Sequence, residues 1–176
     1  RVDLVLDAGG QGFVPTTVIT VMFTDLIGST ELLTRVGEAR AEELRREQFA
    51  TLRAAIEETG GREVKNLGDG LMVAFDGSAA AMACAVTMQQ QLEVRPASAE
   101  PLAIRIGVSA GEVDMDDGDY FGLPVVEAAR LCARAGTREI LVTDMVRMLA
   151  RSRSDAELEP VGDLQLKGLA EPVAAH

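Results

Sequence analysis

The sequence predicts one α+β domain, and three observations carry that expectation. Short apolar runs of strand length, at Val18–Phe23, Leu71–Phe75 and Leu102–Val108, alternate with longer stretches whose apolar residues recur at helical spacing. Between Arg62–Lys65 and Leu71–Phe75 lies only Asn66-Leu67-Gly68-Asp69-Gly70, which reads as a hairpin and points to a mostly antiparallel sheet. A chain of 176 residues, 47% hydrophobic and 26% charged, is ample for one core and short for two.

Residues 1–16 carry a short apolar patch at Leu4–Leu6, then Gly9-Gly10-Gln11-Gly12 and Pro15. They read as an arm or linker, which leaves 17–176 as the domain proper. The first strand ends on Asp25 and opens into Gly28-Ser29-Thr30 before a short helix from Glu31 to Val36. A longer helix, Glu38–Thr59, places Leu44, Phe49, Leu52 and Ile56 at spacings of five, three and four, and Gly60-Gly61 stops it.

After the hairpin, Ser78 is expected to cap a helix running to about Val94 through Met82, Ala85, Val86 and Met88. Pro96–Pro101 reads as a loop. Leu102–Ser109 is strand-like, Gly111 a turn, and Glu112–Met115 continues into the acidic stretch Asp114–Asp119, expected as a solvated loop. Pro124 suits the first turn of a helix reaching about Ala135. Ile140–Val142 is a further strand, Asp144–Ala150 a short helix, and Leu158–Leu169 a closing hairpin.

This order fits a ferredoxin-like βαββαβ core with helices packed on a mostly antiparallel sheet, extended by a C-terminal strand, helix and hairpin. In that pattern the first strand runs antiparallel beside the third, so Asp25 and Asp69 meet. A net charge of −11 without a basic cluster excludes nucleic acid and anionic membrane surfaces as partners. No apolar run reaches the ~18 residues of a membrane span, so no direct membrane contact is expected. Cys84 and Cys132, without metal-ligand spacing, read as small buried hydrophobes in a reducing, cytoplasmic setting.

Asp25 alone has two readings: a metal carboxylate beside a phosphate cradle at a helix N-terminus, or a cap for the following helix. Asp69 strengthens the first. Two unpaired aspartates packed together repel, whereas a Mg²⁺ or Mn²⁺ ion wants such oxygen ligands and completes its shell with phosphate.

Phe23-Thr-Asp-Leu-Ile-Gly-Ser-Thr30, Val64-Lys-Asn-Leu-Gly-Asp-Gly70, Asp119-Tyr-Phe-Gly122, Glu127-Ala-Ala-Arg-Leu131 and Leu166-Lys-Gly-Leu169 resemble, in order, the motifs of class III nucleotidyl cyclase catalytic domains, particularly bacterial, mycobacterial-type adenylate cyclases. The resemblance runs from about Thr17 to the C-terminus. It implies a head-to-tail homodimer that converts ATP into cyclic AMP and pyrophosphate in clefts between subunits. By this likeness Asp25, Asp69 and the backbone carbonyl of Ile27 hold two Mg²⁺ or Mn²⁺ ions per site, and Gly28, Ser29 and Thr30 hold the phosphates. Arg130 matches the arginine that stabilises the transferring phosphoryl group; without the motif it reads as a surface residue.

Lys65 and Asp119 match the positions that choose the base, and Ala129 leaves room beside it or simply packs the helix. A lysine donates to adenine N1 and an aspartate accepts from its amine, so ATP is expected over GTP, each mismatched group costing ~1–3 kcal/mol. One position departs from the family: Val126 stands where an asparagine orients the ribose, one turn before Arg130. Either activity is reduced, or Glu127 or a water takes over, or the domain has become a degenerate, nucleotide-binding or dimerising signalling module. A cyclic-dinucleotide synthase is disfavoured, because Asn66-Leu67-Gly68-Asp69 stands in place of a Gly-Gly-Asp/Glu-Glu-Phe hairpin.

Overall fold

The computed structural model describes residues 17–94, 100, 102–154 and 156–176. The arm assigned to 1–16 and the loop assigned to 96–101, Glu100 apart, lie outside the described residues. The chain order is β1 (Thr17–Leu26), α1 (Ser29–Val36), α2 (Glu38–Glu58), β2 (Arg62–Asn66), β3 (Leu71–Phe75), α3 (Ser78–Glu93), β4 (Ile104–Asp116), β5 (Asp119–Phe121), α4 (Leu123–Arg134), β6 (Ile140–Val142), α5 (Asp144–Ala150), β7 (Gly162–Leu164) and β8 (Val173–Ala175). The main sheet runs β2-β3-β1-β4-β5, with β6 parallel to β4 and the other pairs antiparallel. As the βαββαβ pattern requires, β1 lies between β3 and β4.

Period-two alternation divides the strands between two cores. Met22, Val73, Phe75, Ile104, Ile106 and Val108 pack with α2, α3 and α5 through residues such as Leu52, Met88 and Val146. Ile19, Val21, Met72, Ala74 and Val113 face the other way, toward Ala128 of α4. Each large apolar side chain so buried contributes about 1.5–3 kcal/mol of transfer free energy. The polar residues on β1 are satisfied: Thr20 and Ser78 share a hydroxyl bond of 2.8 Å, and Thr24 Oγ1 accepts from Leu71 N–H at 3.0 Å.

Several local expectations change. Ser78 is not a cap; the N-cap is Gly77, and Ser78 turns inward to Thr20. Gly111 is no turn but lies within β4, opposite Ile19, where an added Cβ would meet Pro124 Cγ at 2.9 Å. The acidic stretch is a hairpin rather than a loop: Asp116 pairs with Asp119 around Asp117 and Gly118, whose φ values of 48° and 80° suit a two-residue turn. The closing hairpin forms later than expected, β7 pairing with β8, because Val173 and Ala175 bury against Leu131, Leu141 and Leu166. No helix among the described residues is long and apolar enough to cross a membrane.

Candidate active site

The end of β1 and the β2–β3 hairpin are joined by backbone. Leu26 N–H donates to Asp69 C=O at 2.9 Å, Leu67 N–H to Gly70 C=O at 2.9 Å, and Asn66 Oδ1 accepts from Gly68 N–H at 2.8 Å. A Cβ on Gly70 would stand 1.8 Å from the Thr24 carbonyl oxygen, so only glycine lets the hairpin come this close. Asp69 thereby reaches the side of β1 on which Asp25 ends. Gly28, at φ 71°, turns the chain into α1, which begins at Ser29, two residues earlier than expected. Ser29 and Thr30 thus belong to the first turn, whose N–H groups lack intrahelical acceptors, and Ser29 Oγ donates to Asp69 Oδ2 at 3.4 Å. Ile27 is held at the bend by donation of its N–H to Ala103 C=O at 2.8 Å.

The cap reading of Asp25 fails: α1 has no side-chain cap, and the Asp25 carboxylate turns to Arg105. Arg105 lies directly opposite on β4 and brings Nε to 2.7 Å and Nη2 to 2.6 Å from Oδ2. The aspartates are therefore not an unpaired couple, as the sequence suggested, because one carries its own counter-charge. Sequence reasoning passed over Arg105, although a lone charge among Ile104, Ile106 and Val108 was a visible signal.

Asp25, Asp69 and the Ile27 carbonyl offer oxygen donors only, the chemistry that a hard divalent cation takes. Among the described residues no three His, Cys, Asp or Glu side chains converge, so further ligands have to come from main-chain or phosphate oxygens. Ser29, Thr30 and Asp69 open onto a cleft of about 1420 Å³ between α1, α2 and the hairpin, with Arg45 and Arg46 on its wall. Arg45 also donates to Gly68 C=O at 3.5 Å.

Lys65 reaches the α4 side of the sheet through a bulge between Glu63 and Lys65, which sets it opposite Met72 of that core. There its Nζ lies 2.5 Å from Asp119 Oδ2. The hydrogen bond from Lys65, and secondarily one from Tyr120 N–H, holds the Asp119 carboxyl below the usual carboxylate range. Strict alternation would have sent Lys65 to the opposite side, and nothing in the sequence announced the bulge.

Val126 and Arg130 stand one turn apart on the exposed side of α4, with Ala129 half-buried between them. Glu127 accepts from Ser109 Oγ at 2.6 Å, and Ser109 is fully buried on β4. Around this region Met115, Phe121 and Leu123 are 61%, 50% and 59% exposed, an apolar surface suited to contact with another chain. Cys132 is buried, and burial, aided by Asp25, pushes its thiol up to about 12, so it is no thiolate ligand. Cys84 is likewise pushed up to about 11 by burial.

This sheet order, with Asp25 and the Asp69 hairpin joined through the backbone beside a helix N-terminus, is the architecture of a cyclase catalytic domain. The crystal structure of an adenylate/guanylate cyclase/hydrolase from Silicibacter pomeroyi matches with a TM-score of 0.76 and 30% identity, covering 92% of this chain and 95% of that one. The chain belongs to the adenylate and guanylate cyclase catalytic domain family, whose model matches residues 14–175. It is 32% identical over 174 residues to serine/threonine-protein kinase pkn2 of Myxococcus xanthus, covering 96% of this chain and 20% of that protein. It is 26% identical over 156 residues to putative adenylate cyclase 3 of Rhizobium meliloti, covering 87% of this chain and 27% of that protein. The chain thus spans less than a third of either curated relative.

Proposed function

We propose that the domain is an adenylate cyclase, converting ATP into 3′,5′-cyclic AMP and pyrophosphate in sites shared by two copies of the chain. The carrying observation is the pairing of Lys65 with Asp119, which sets a donor and an acceptor side by side for the edge of a purine base, in the order that suits adenine when Lys65 faces N1 and Asp119 the amine. The likeness to the Rhizobium protein agrees with this reading. So does the exposed apolar surface of Met115, Phe121, Leu123 and Val126, which a second copy would cover.

In the reaction the ribose 3′-oxygen attacks the α-phosphorus. The O3′–P bond forms, the bond from phosphorus to the β-phosphate oxygen breaks, pyrophosphate leaves, and the hydroxyl proton passes to solvent. Asp25, Asp69 and the Ile27 carbonyl would hold two divalent ions, Mg²⁺ or Mn²⁺, whose chemistry is to acidify the hydroxyl and neutralise the triphosphate. Gly28, Ser29 and Thr30 hold phosphate oxygens at the positive end of α1. Arg130, from the second copy, offers a planar fork of donors to the charge that develops on the transferring phosphoryl group. Lys65 and Asp119 orient the base, with Ala129 leaving room beside it, so the attack is set up by position.

Val126 favours a second reading, a domain that binds nucleotide and dimerises without turnover, because valine cannot hydrogen-bond the ribose. Incubation of the purified domain with ATP or GTP and Mg²⁺ or Mn²⁺, with products resolved by chromatography, separates the two. Cyclic AMP from ATP supports the enzyme; bound nucleotide with no cyclic product under either metal overturns it.

A further inference from the structure

β2 and β5 stand at opposite ends of the strand order, yet two side-chain contacts join them across the α4 side of the sheet. One is the Lys65–Asp119 pair. The other lies three residues earlier on β2, where Arg62 Nη2 donates to the phenol oxygen of Tyr120 and the guanidinium carbon is 5.5 Å from the ring centroid. The second contact is anchored as the first is not. Tyr120 is 5% exposed and packs among Ile19, Val21, Met72, Ala74 and Val113. Its own N–H donates to Asp119 Oδ1 at 2.8 Å. One oxygen of Asp119 is therefore set by Tyr120 and the other by Lys65.

We propose that Arg62 and Tyr120 are positioning residues for base selection, fixing which of the neighbouring groups, the Lys65 ammonium or the Asp119 carboxylate, meets which atom of the base edge. The proposal rests on the reading of Lys65 and Asp119 as the groups that contact the base. Adenine presents an acceptor at N1 beside a donor at its amine; guanine presents a donor at N1 beside an acceptor at O6. A lysine and an aspartate side by side can satisfy either base, in one order or the reverse. Their identities do not decide the choice; their arrangement does.

The pair cannot hold that arrangement by itself. Lysine carries its charge on a flexible four-carbon stem, and the Lys65 and Asp119 side chains are 42% and 28% exposed. Tyr120, gripped by the core and by Arg62, supplies the fixed point from which the carboxylate is aimed. Loss of the Arg62–Tyr120 contact lets the pair shift toward the order that guanine accepts.

The test uses 3′-deoxy-ATP and 3′-deoxy-GTP, which lack the attacking hydroxyl, in calorimetric titrations with Mn²⁺. Wild type, Lys65→Ala, Asp119→Ala, Arg62→Met and Tyr120→Phe are compared, each with its thermal midpoint. The wild type is expected to prefer the adenine nucleotide and Lys65→Ala and Asp119→Ala to lose that preference. Arg62→Met and Tyr120→Phe are expected to reduce the ratio of affinities about five- to tenfold, with little change in thermal midpoint, and Arg62→Lys to give an intermediate ratio. Positioning variants that keep the wild-type ratio while the Lys65 and Asp119 variants lose it overturn the proposal and leave the reading of that pair intact. A wild type without preference, or a preference untouched in Lys65→Ala and Asp119→Ala, overturns that reading and the proposal with it. Should Arg62→Met fail to fold, Tyr120→Phe, which removes one oxygen and keeps the ring, decides the matter.

Discussion

Arg105 and Asp25 are direct neighbours across β4 and β1, and two guanidinium nitrogens converge on a single carboxylate oxygen, Oδ2, at 2.7 and 2.6 Å. The remaining nitrogen, Nη1, donates to Ala133 C=O at 2.8 Å, so one side chain also ties the end of β1 to the last turn of α4. The clamp does not use Asp25 Oδ1. Arg105 thus balances the charge of one candidate metal carboxylate, Asp25, and holds it in place.

Arg105→Met should expose that balance. The variant loses a charge-assisted contact between side chains 29% and 26% exposed, a cost of about 1–2 kcal/mol after solvent screening. Asp25 then lacks its counter-charge, with Asp69 close by on the hairpin, so Mn²⁺ should raise the melting temperature of the variant more than that of wild type. Thermal unfolding with and without Mn²⁺ measures this, and an equal or smaller rise would contradict the role assigned to Arg105.

Replacing the carboxylates themselves should separate chemistry from folding. The junction is held by the backbone bond from Leu26 to Asp69 and by the close approach at Gly70, both of which survive Asp25→Asn and Asp69→Asn. Asp69→Asn is expected to keep a near-native melting temperature, and Asp25→Asn to lose about the same 1–2 kcal/mol as Arg105→Met because it breaks the same pair while staying folded. Each should lose turnover by about three orders of magnitude, since metal-assisted charge stabilisation supplies several kcal/mol and each 1.36 kcal/mol is tenfold. Substantial retained activity in either variant would remove the metal assignment.

What the sequence revealed followed from local pattern. The apolar run ending at Asp25 and the Asn-Leu-Gly-Asp-Gly hairpin are contiguous signals, and the antiparallel order of a βαββαβ core was enough to bring Asp25 and Asp69 together. What escaped depended on non-local registration. Whether Lys65 faces α4 rests on a single-residue bulge in β2, and a one-residue shift reverses every side chain beyond it. Gly111 looked like a stop because glycine weakens a strand, but here it makes room for Pro124, which sequence spacing cannot show. The acidic run became a hairpin because Asp117 and Gly118 both accept positive φ, a signal outweighed by the density of charge around them.

Val126 is where the family pattern and this chain part, and the surroundings say what restoring asparagine should do. Glu127, the nearest candidate replacement, is engaged by the buried Ser109 beneath α4. Val126→Asn should therefore raise kcat with ATP about fivefold to tenfold, the value of one added hydrogen bond, with little effect on stability at a site 39% exposed. Glu127→Gln should leave kcat within about twofold, since the amide can still accept from Ser109. Steady-state kinetics on both variants test the pair: an unchanged rate in Val126→Asn together with collapse in Glu127→Gln would assign the ribose-orienting role to Glu127.

The acid behaviour of Asp119 tests the Lys65 pair independently of turnover. Its carboxyl is held low first by the Lys65 hydrogen bond and further by Tyr120 N–H. A folded-state pKa below the unfolded value means that the pair's stabilising contribution is complete above the unfolded carboxylate value of about 3.9 and is lost as pH falls through the lower folded value. Asp119 consequently remains an acceptor throughout about pH 6 to 9, where its titration cannot alter base selection. Lys65→Ala removes the largest cause, and the Asp119 carboxyl should return toward about 3.9, which a carboxyl carbon NMR titration of wild type and variant reads directly. If Asp119 in the wild type titrates at or above the ordinary value, the pair does not persist in solution, and a fixed lysine–aspartate order cannot be what selects adenine.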